Sequence, residues 1–140
     1  MFEQCLYFNT TALARVLEKH WTQAFAPFGL TPPQAFMLRV VLDKPGLLQR
    51  ELAAELSIAR ATATRTLDGL QRLELIERRD TESDGREYAI HPTPAAVKLR
   101  DAINAASGEV TKRLRRQLGA AHFEEVVGGL KGIRDSLEAS

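Results

Sequence analysis

The chain has 140 residues, of which 44% are hydrophobic and 26% charged, and its formal net charge is +1. This size suits one domain, and the composition excludes a disordered chain. No apolar run approaches the roughly 20 residues of a membrane span, and the single cysteine excludes an internal disulfide framework or a cysteine zinc cluster.

Three helices are predicted in the first half of the chain. Apolar residues recur at three- and four-residue steps over residues 3–26, which predicts a long amphipathic helix. Thr31, two prolines and Gln34 have the form of a capping box, so a second helix begins there and runs to about residue 43. A Pro-Gly pair ends it, and residues 51–56 predict a short third helix.

A fourth helix is predicted over residues 60–73, with one apolar side and one polar side. Residues 75–79 and 86–91 read as two strands around an Asp-Gly pair, the dipeptide that most favours a tight hairpin turn. A proline opens a long helix over residues 94–118, and a glycine stops it before a last helix from residue 120.

Two short helices followed by a hairpin have the order of a winged helix-turn-helix, in which the second helix enters the major groove of DNA. On that helix Arg65 can form two hydrogen bonds with guanine, while the threonines can contact the DNA backbone or thymine methyl groups. At the hairpin tip an arginine can enter a minor groove, oriented by an aspartate. The candidate DNA-binding residues are Arg60, Ala61, Thr62, Thr64, Arg65, Asp84 and Arg86.

The charge around the fourth helix favours selective over general DNA binding. Residues 50–93 hold more acidic than basic side chains, so binding would depend on where each arginine lies. Asp68 is expected to hold Arg65 and Arg72 by ion pairs at helical spacing. The alternative is that these arginines form an ordinary solvated surface, and that Arg86 only protects a strand edge.

The last helix carries an apolar seam that predicts a homodimer. Its apolar residues alternate three- and four-residue steps, the spacing of a helix that packs on another helix. The candidate interface residues are Phe123, Val126, Leu130, Ile133 and Leu137.

The sequence resembles the MarR family of bacterial regulators. ELAAELSIARATATRTLDGLQRLELIERR is similar to the family's helix-turn-helix, and SDGREYAIHPT to its wing, including the D-x-R signature at Asp84 and Arg86. The resemblance implies a mainly α fold with a small β-hairpin wing, in one domain over residues 1–140. It also implies a DNA-binding lobe at residues 31–93 and dimerisation helices at 3–27 and 94–138. Two positions depart from the family's pattern: Pro92 replaces leucine, and Glu74 replaces the glycine after the recognition helix.

The family resemblance implies a triangular homodimer on a pseudo-palindromic operator. Its recognition helices would occupy successive major grooves, and its wing arginines the flanking minor grooves. It also implies a small aromatic or anionic effector near the first two helices, with His20, Trp21, Phe25, Phe36 and Arg39 as candidates. The alternative for these aromatic side chains is packing between helices.

Residues 3–8 resemble the N-terminal helix of the peroxide-sensing OhrR branch, whose reactive cysteine occupies a place similar to that of Cys5. A cysteine near a helix start can be activated, whereas a lone cysteine among apolar residues is commonly an inert core thiol. Redox sensing through Cys5 therefore stays open as an alternative.

The function predicted from these features is that of a cytoplasmic DNA-binding transcription regulator, a repressor relieved by an unidentified small-molecule effector. The chain lacks a Gly-rich phosphate loop, a nucleophile elbow and metal-ligand spacing around its histidines, so we expect no enzyme, cofactor or metal site. From the polar N-terminal residues we expect no signal peptide or membrane segment. The remaining alternative is a winged-helix protein-interaction module that does not bind DNA.

Overall fold

The computed structural model describes residues 1–81 and 87–139. The elements follow in the order α1 (Leu6–Phe25), α2 (Pro32–Asp43), β1 (Leu47–Leu48), α3 (Gln49–Glu55), α4 (Arg60–Arg72), β2 (Ile76–Asp80), β3 (Tyr88–Pro92), α5 (Pro94–Leu118) and α6 (Ala120–Glu138). A mainly helical chain with a small sheet is confirmed, and a short 3-10 turn follows α1.

Helix ends are set by local sequence signals. The capping box of α2 is present, because the backbone N–H of Gln34 donates to Thr31 Oγ1 (3.3 Å) and that of Thr31 donates to Gln34 Oε1 (3.0 Å). The Thr93 hydroxyl caps α5, and Gly119, at a φ of 86°, separates α5 from α6. Both α2 and α5 therefore begin and end where the sequence predicts, whereas α1 begins three residues later than predicted.

The sheet has three antiparallel strands in the order β1-β3-β2, where the sequence predicts only a two-stranded hairpin. Leu47 and Arg78 both pair with Ile90, from opposite sides of β3. Two residues are too few to show the alternation by which a strand is recognised, so β1 gives no signal in the sequence. The sheet ties the start of α3 to the wing strands.

The hydrophobic core lies around α2. Leu38 and Val41 are fully buried, and they belong to one cluster with side chains from α3, α4, β3 and α5. By contrast, α6 has no buried residue among those that the structure describes, although its sequence is amphipathic. The apolar side of α6 is thus left outside the core of the single chain.

Two left-handed residues lie on either side of α4. Ser57, at a φ of 55°, ends α3, and Glu74, at a φ of 59°, ends α4. At both ends, the two backbone N–H groups after the helix bond back to its last turn, which is the Schellman motif. These turns fix where α4 begins and ends.

Within residues 1–81 and 87–139, no helix is both long and apolar enough to cross a membrane.

Candidate nucleic-acid interface

The outward face of α4 carries the predicted DNA-binding residues that the structure describes. Ala63, Leu67 and Leu70 are fully buried against the core, which fixes the rotation of the helix. The residues of its N-terminal half on the other side are exposed or, for Thr62, half-buried: Arg60, Ala61, Thr62, Thr64 and Arg65. The structure therefore brings these five residues together on one accessible surface.

Hydrogen bonds within the protein restrict what the threonines can offer to DNA. Thr64 Oγ1 donates to the carbonyl of Arg60 (3.0 Å) and accepts from Gln49 Nε2 (2.5 Å). Its only hydroxyl hydrogen is thus in use, which leaves one lone pair and the methyl group. Thr62 Oγ1 accepts from Arg65 Nη2 (3.3 Å), so that guanidinium lies along the first turn of the helix.

Asp68 pairs with a residue of the wing, which corrects the expectation that it holds Arg65 and Arg72. Arg78 of β2 donates to Asp68 Oδ1 (2.8 Å) and to the side-chain oxygen of Gln71. The Arg78 side chain is only 18% exposed, so the sheet presents it to α4 with little freedom. These contacts tie the recognition helix to the base of the wing.

The wing-tip residues Asp84 and Arg86 lie outside the described residues, so their role in a minor groove stays a prediction. Next to them, Glu87 bonds Arg50 of α3 through Oε1 and Nη1 (2.5 Å). This contact joins α3 to the chain just before β3.

Ion pairs account for how an acidic lobe can present a positive surface. The carboxylates of Asp68, Glu77 and Glu87 pair with Arg78, Arg79 and Arg50. In the part of the chain that the structure describes, Arg60 and Arg65 have no carboxylate within ion-pair distance. Both are exposed, so the N-terminal half of α4 presents positive charge that no described carboxylate neutralises.

Four of the five candidate effector residues, all except His20, take part in contacts between three helices. Phe25 is fully buried and meets Phe36 edge to face, with ring centroids 5.9 Å apart. Arg39 lies over the Phe36 ring at 5.1 Å. Arg39 also donates to Ser107 Oγ (3.0 Å), which accepts from Trp21 Nε1 as well (3.1 Å). Burial lowers the pKa of Arg39 from its usual value.

A cleft of about 450 Å³ opens beside this network. It is lined by Phe36, Arg39, Val40, Asp43, Lys44, Glu55 and Asn104. Of the five candidates, Phe36 and Arg39 reach the cleft and Phe25 lies in the core. Trp21 is half-buried against the core, and His20 is half-buried on α1. Sequence reasoning missed Asn104, whose Oδ1 accepts from Arg39 Nε (2.8 Å), because it lies 65 residues away in the chain.

Cys5 is exposed and forms the N-cap of α1, where its Sγ accepts a hydrogen bond from the backbone N–H of Phe8 (3.5 Å). Asn9 Nδ2 donates to the carbonyl of Cys5 (2.9 Å) and so holds the same turn. The thiol is therefore a surface group of the single chain rather than part of its core.

The predicted interface residues of α6 divide into two groups. Phe123 and Val126 are half-buried, and Arg115 of α5 lies over the Phe123 ring at 5.8 Å. Arg115 also forms an ion pair with Glu124 of α6. The others are exposed, at 38% for Leu130, 42% for Ile133 and 65% for Leu137.

Comparisons with known proteins agree on one family. A family model described as MarR family matches residues 28–87. A protein described as a transcriptional regulator for the hcr operon of Thauera aromatica is 30% identical over 105 residues, which cover 75% of this chain and 63% of that relative. The regulator MgrA of Staphylococcus aureus is 27% identical over 127 residues, 84% of this chain and 86% of MgrA.

Solved structures share the whole fold. A MepR–DNA complex from S. aureus has a TM-score of 0.84 at 24% identity, with 96% of this chain and 99% of that one covered. The regulator SlyA has a TM-score of 0.83 at 20% identity, with 96% and 94% covered. Reduced AbfR bound to DNA has a TM-score of 0.81 at 18% identity, with 96% and 90% covered.

Proposed function

The chain belongs to the MarR family of winged-helix DNA-binding transcription regulators, a family of regulators and not of enzymes, and from this premise we propose that it binds a pseudo-palindromic operator as a homodimer. The observation that carries the proposal is the face of α4, where Arg60 and Arg65 lie exposed while the nearby carboxylates are paired elsewhere. Solved MepR and AbfR structures contain DNA, which supports the same reading. The cytoplasm, where such DNA is accessible, is the proposed location.

Four residues on the outward face of α4 have proposed roles at the DNA. Arg65 reads guanine with its guanidinium, because arginine matches the two acceptors of that base. Thr64 contacts a thymine methyl with its own methyl, since its hydroxyl hydrogen is bonded to Arg60. The small side chain of Ala61 permits close approach of the DNA bases, and Thr62 faces the DNA backbone. Arg86, oriented by Asp84, enters the flanking minor groove.

Selection of random duplex DNA by the purified protein, at fixed moderate salt, tests this proposal. We expect an enriched palindrome, and Arg65→Ala should lose the preference at one base pair of each half-site, at a cost of about 1–3 kcal/mol. The control is Arg113→Ala, which removes the same charge from the far half of α5 and should keep the enriched sequence. No enrichment by the unaltered protein would favour the protein-interaction module instead.

The effector of the proposed repressor is a small aromatic or anionic molecule held in the cleft beside Phe36 and Arg39. Arg39 joins α2 to α5 through Asn104 and Ser107, so a ligand that takes its N–H groups changes the contact between these helices. A series of small aromatic carboxylates should release DNA from the unaltered protein but not from Arg39→Met. Equal release from both proteins would place the effector site elsewhere.

Redox control through Cys5 is a second candidate, favoured by the exposure of the thiol at the start of α1. Peroxide should then release the unaltered protein from its operator and spare Cys5→Ser. Equal release of both proteins would end this idea.

A further inference from the structure

A second cleft lies where the first turns of α3 and α4 meet the start of β3. Its volume is about 210 Å³, and it is lined by Leu48, Gln49, Arg50, Arg60, Glu87 and Tyr88. We propose that this cleft holds one phosphate of the DNA backbone between Arg50 and Arg60. The inference rests on the proposed DNA binding and adds a site of DNA-backbone contact at the edge of the recognition face, which shares Arg60 with it.

The bond to Glu87 holds Arg50 in place and leaves some of its N–H groups free to donate. Its Nη1 donates to Glu87 Oε1 (2.5 Å), and the side chain remains 56% exposed. A guanidinium has five N–H donors in a rigid plane, so the bond to Glu87 fixes the plane and leaves the other donors for a second acceptor. Glu87 thus acts as the positioning residue for Arg50.

Arg60 supplies the second guanidinium, from the first residue of α4. Gln49, next to Arg50 in the chain, bonds Thr64 on the recognition face (2.5 Å). This bond fastens the first turn of α3 to α4, so the two arginines keep a fixed relation to Thr64. A phosphate held between them therefore sets the register in which α4 enters the groove.

The charge of the cleft selects a phosphodiester. Two guanidinium groups and one carboxylate leave a net charge of +1, from Arg50, Arg60 and Glu87. A backbone phosphate carries one negative charge and balances this sum. A free phosphate dianion carries an uncompensated second charge that the Glu87 carboxylate repels. The site thus fits duplex DNA better than a small phosphate ligand.

The test replaces single phosphates of the selected duplex, in both half-sites, by neutral methylphosphonates. At one position per half-site, we expect the change to weaken binding of the unaltered protein about tenfold, the usual size for a charge-assisted hydrogen bond. Arg50→Ala should bind the normal duplex more weakly and show a clearly smaller further loss at that position, because only Arg60 still contacts the phosphate. Arg50→Lys keeps the charge and should recover part of the sensitivity.

Arg79→Ala is the matched control, because Arg79 is equally exposed (57%) and also paired with a carboxylate, that of Glu77. It should remain as sensitive as the unaltered protein at the Arg50 position. If Arg50→Ala loses as much as the unaltered protein at every methylphosphonate, the cleft does not hold a phosphate. If the unaltered protein retains no duplex at all, the proposed function fails and this site fails with it.

Discussion

Glu74 occupies a backbone position that favours glycine. Its φ is 59°, and it is the residue after α4 in a Schellman motif. A side chain in the left-handed region costs about 1–2 kcal/mol, and glycine avoids this cost. We therefore expect Glu74→Gly to raise the free energy of unfolding by about 1 kcal/mol, measured by urea denaturation.

Two variants control for the effect at Glu74. Glu74→Ala keeps a Cβ and should show no comparable gain. Ser57→Gly relieves the same kind of strain at the end of α3 but loses the hydrogen bond that Arg134 Nη2 donates to Ser57 Oγ (2.7 Å), so its gain should be smaller. If Glu74→Ala stabilised as much as Glu74→Gly, backbone strain would not be the cause.

At this scale, the sequence predicts which way a side chain faces better than which partner it meets. Helical periodicity is enough to place Arg65 outward and Leu67 inward, and the structure agrees. The partner of Asp68 was predicted wrongly, because helical spacing shows only neighbours within one helix. Arg78 reaches Asp68 through the folding of the sheet against α4, which no local pattern contains.

The contact between α4 and β2 depends on Arg78, whose guanidinium bonds both Asp68 and Gln71. Because this side chain is largely buried, its loss leaves a gap and removes two charge-assisted contacts. We expect Arg78→Ala to lower the free energy of unfolding by about 1–3 kcal/mol in urea denaturation. Arg79→Ala, which breaks only an exposed ion pair, should change it by less than about 1 kcal/mol. Equal effects would contradict a special role for Arg78.

Ser107 connects three helices through one hydroxyl. It is buried on α5 and accepts hydrogen bonds from Trp21 of α1 and Arg39 of α2. Ser107→Ala leaves both donors without this acceptor, so we expect a loss of about 1–3 kcal/mol in the free energy of unfolding. Emission from Trp21, the only tryptophan, should shift in the same variant.

Gly108→Ala is the control for Ser107, because it changes the next residue of the same helix and a Cβ there meets nothing within 4 Å. Alanine is the better helix former, so this variant should be neutral or slightly stabilising, with unchanged Trp21 emission. A Ser107→Ala variant as stable as Gly108→Ala would show that the hydroxyl does not hold the helices together.

Elements with their own end signals were predictable, and elements that depend on a partner were not. The threonine before α5, the proline that begins it and the glycine after it give bounds that the structure reproduces. Leu47 and Leu48 form a strand only because β3 offers them its free edge. The cleft between Arg50 and Arg60 likewise exists only once α3, α4 and β3 have packed together.

The apolar side of α6 is a feature of the single chain that its own core does not explain. This helix has 19 residues, none of them buried, and Leu130 and Ile133 remain substantially exposed. Their spacing is that of a helix packed on another helix, and exposed apolar surface of this kind marks an interface. A second copy of the chain would cover it, in line with the proposed homodimer.

Leu130→Glu combined with Ile133→Glu should therefore convert a dimer into monomers, seen as a halved mass in sedimentation. Charges placed in an apolar interface lose hydration without gaining partners, and this cost opposes association. Lys131→Ser, on the same helix but at an exposed ion pair with Asp135, should leave the dimer intact. Native Trp21 emission in the double variant would separate dissociation from misfolding. A double variant that stayed dimeric would place the interface elsewhere. Because two recognition helices must reach one palindrome together, folded monomers should also bind the operator much more weakly.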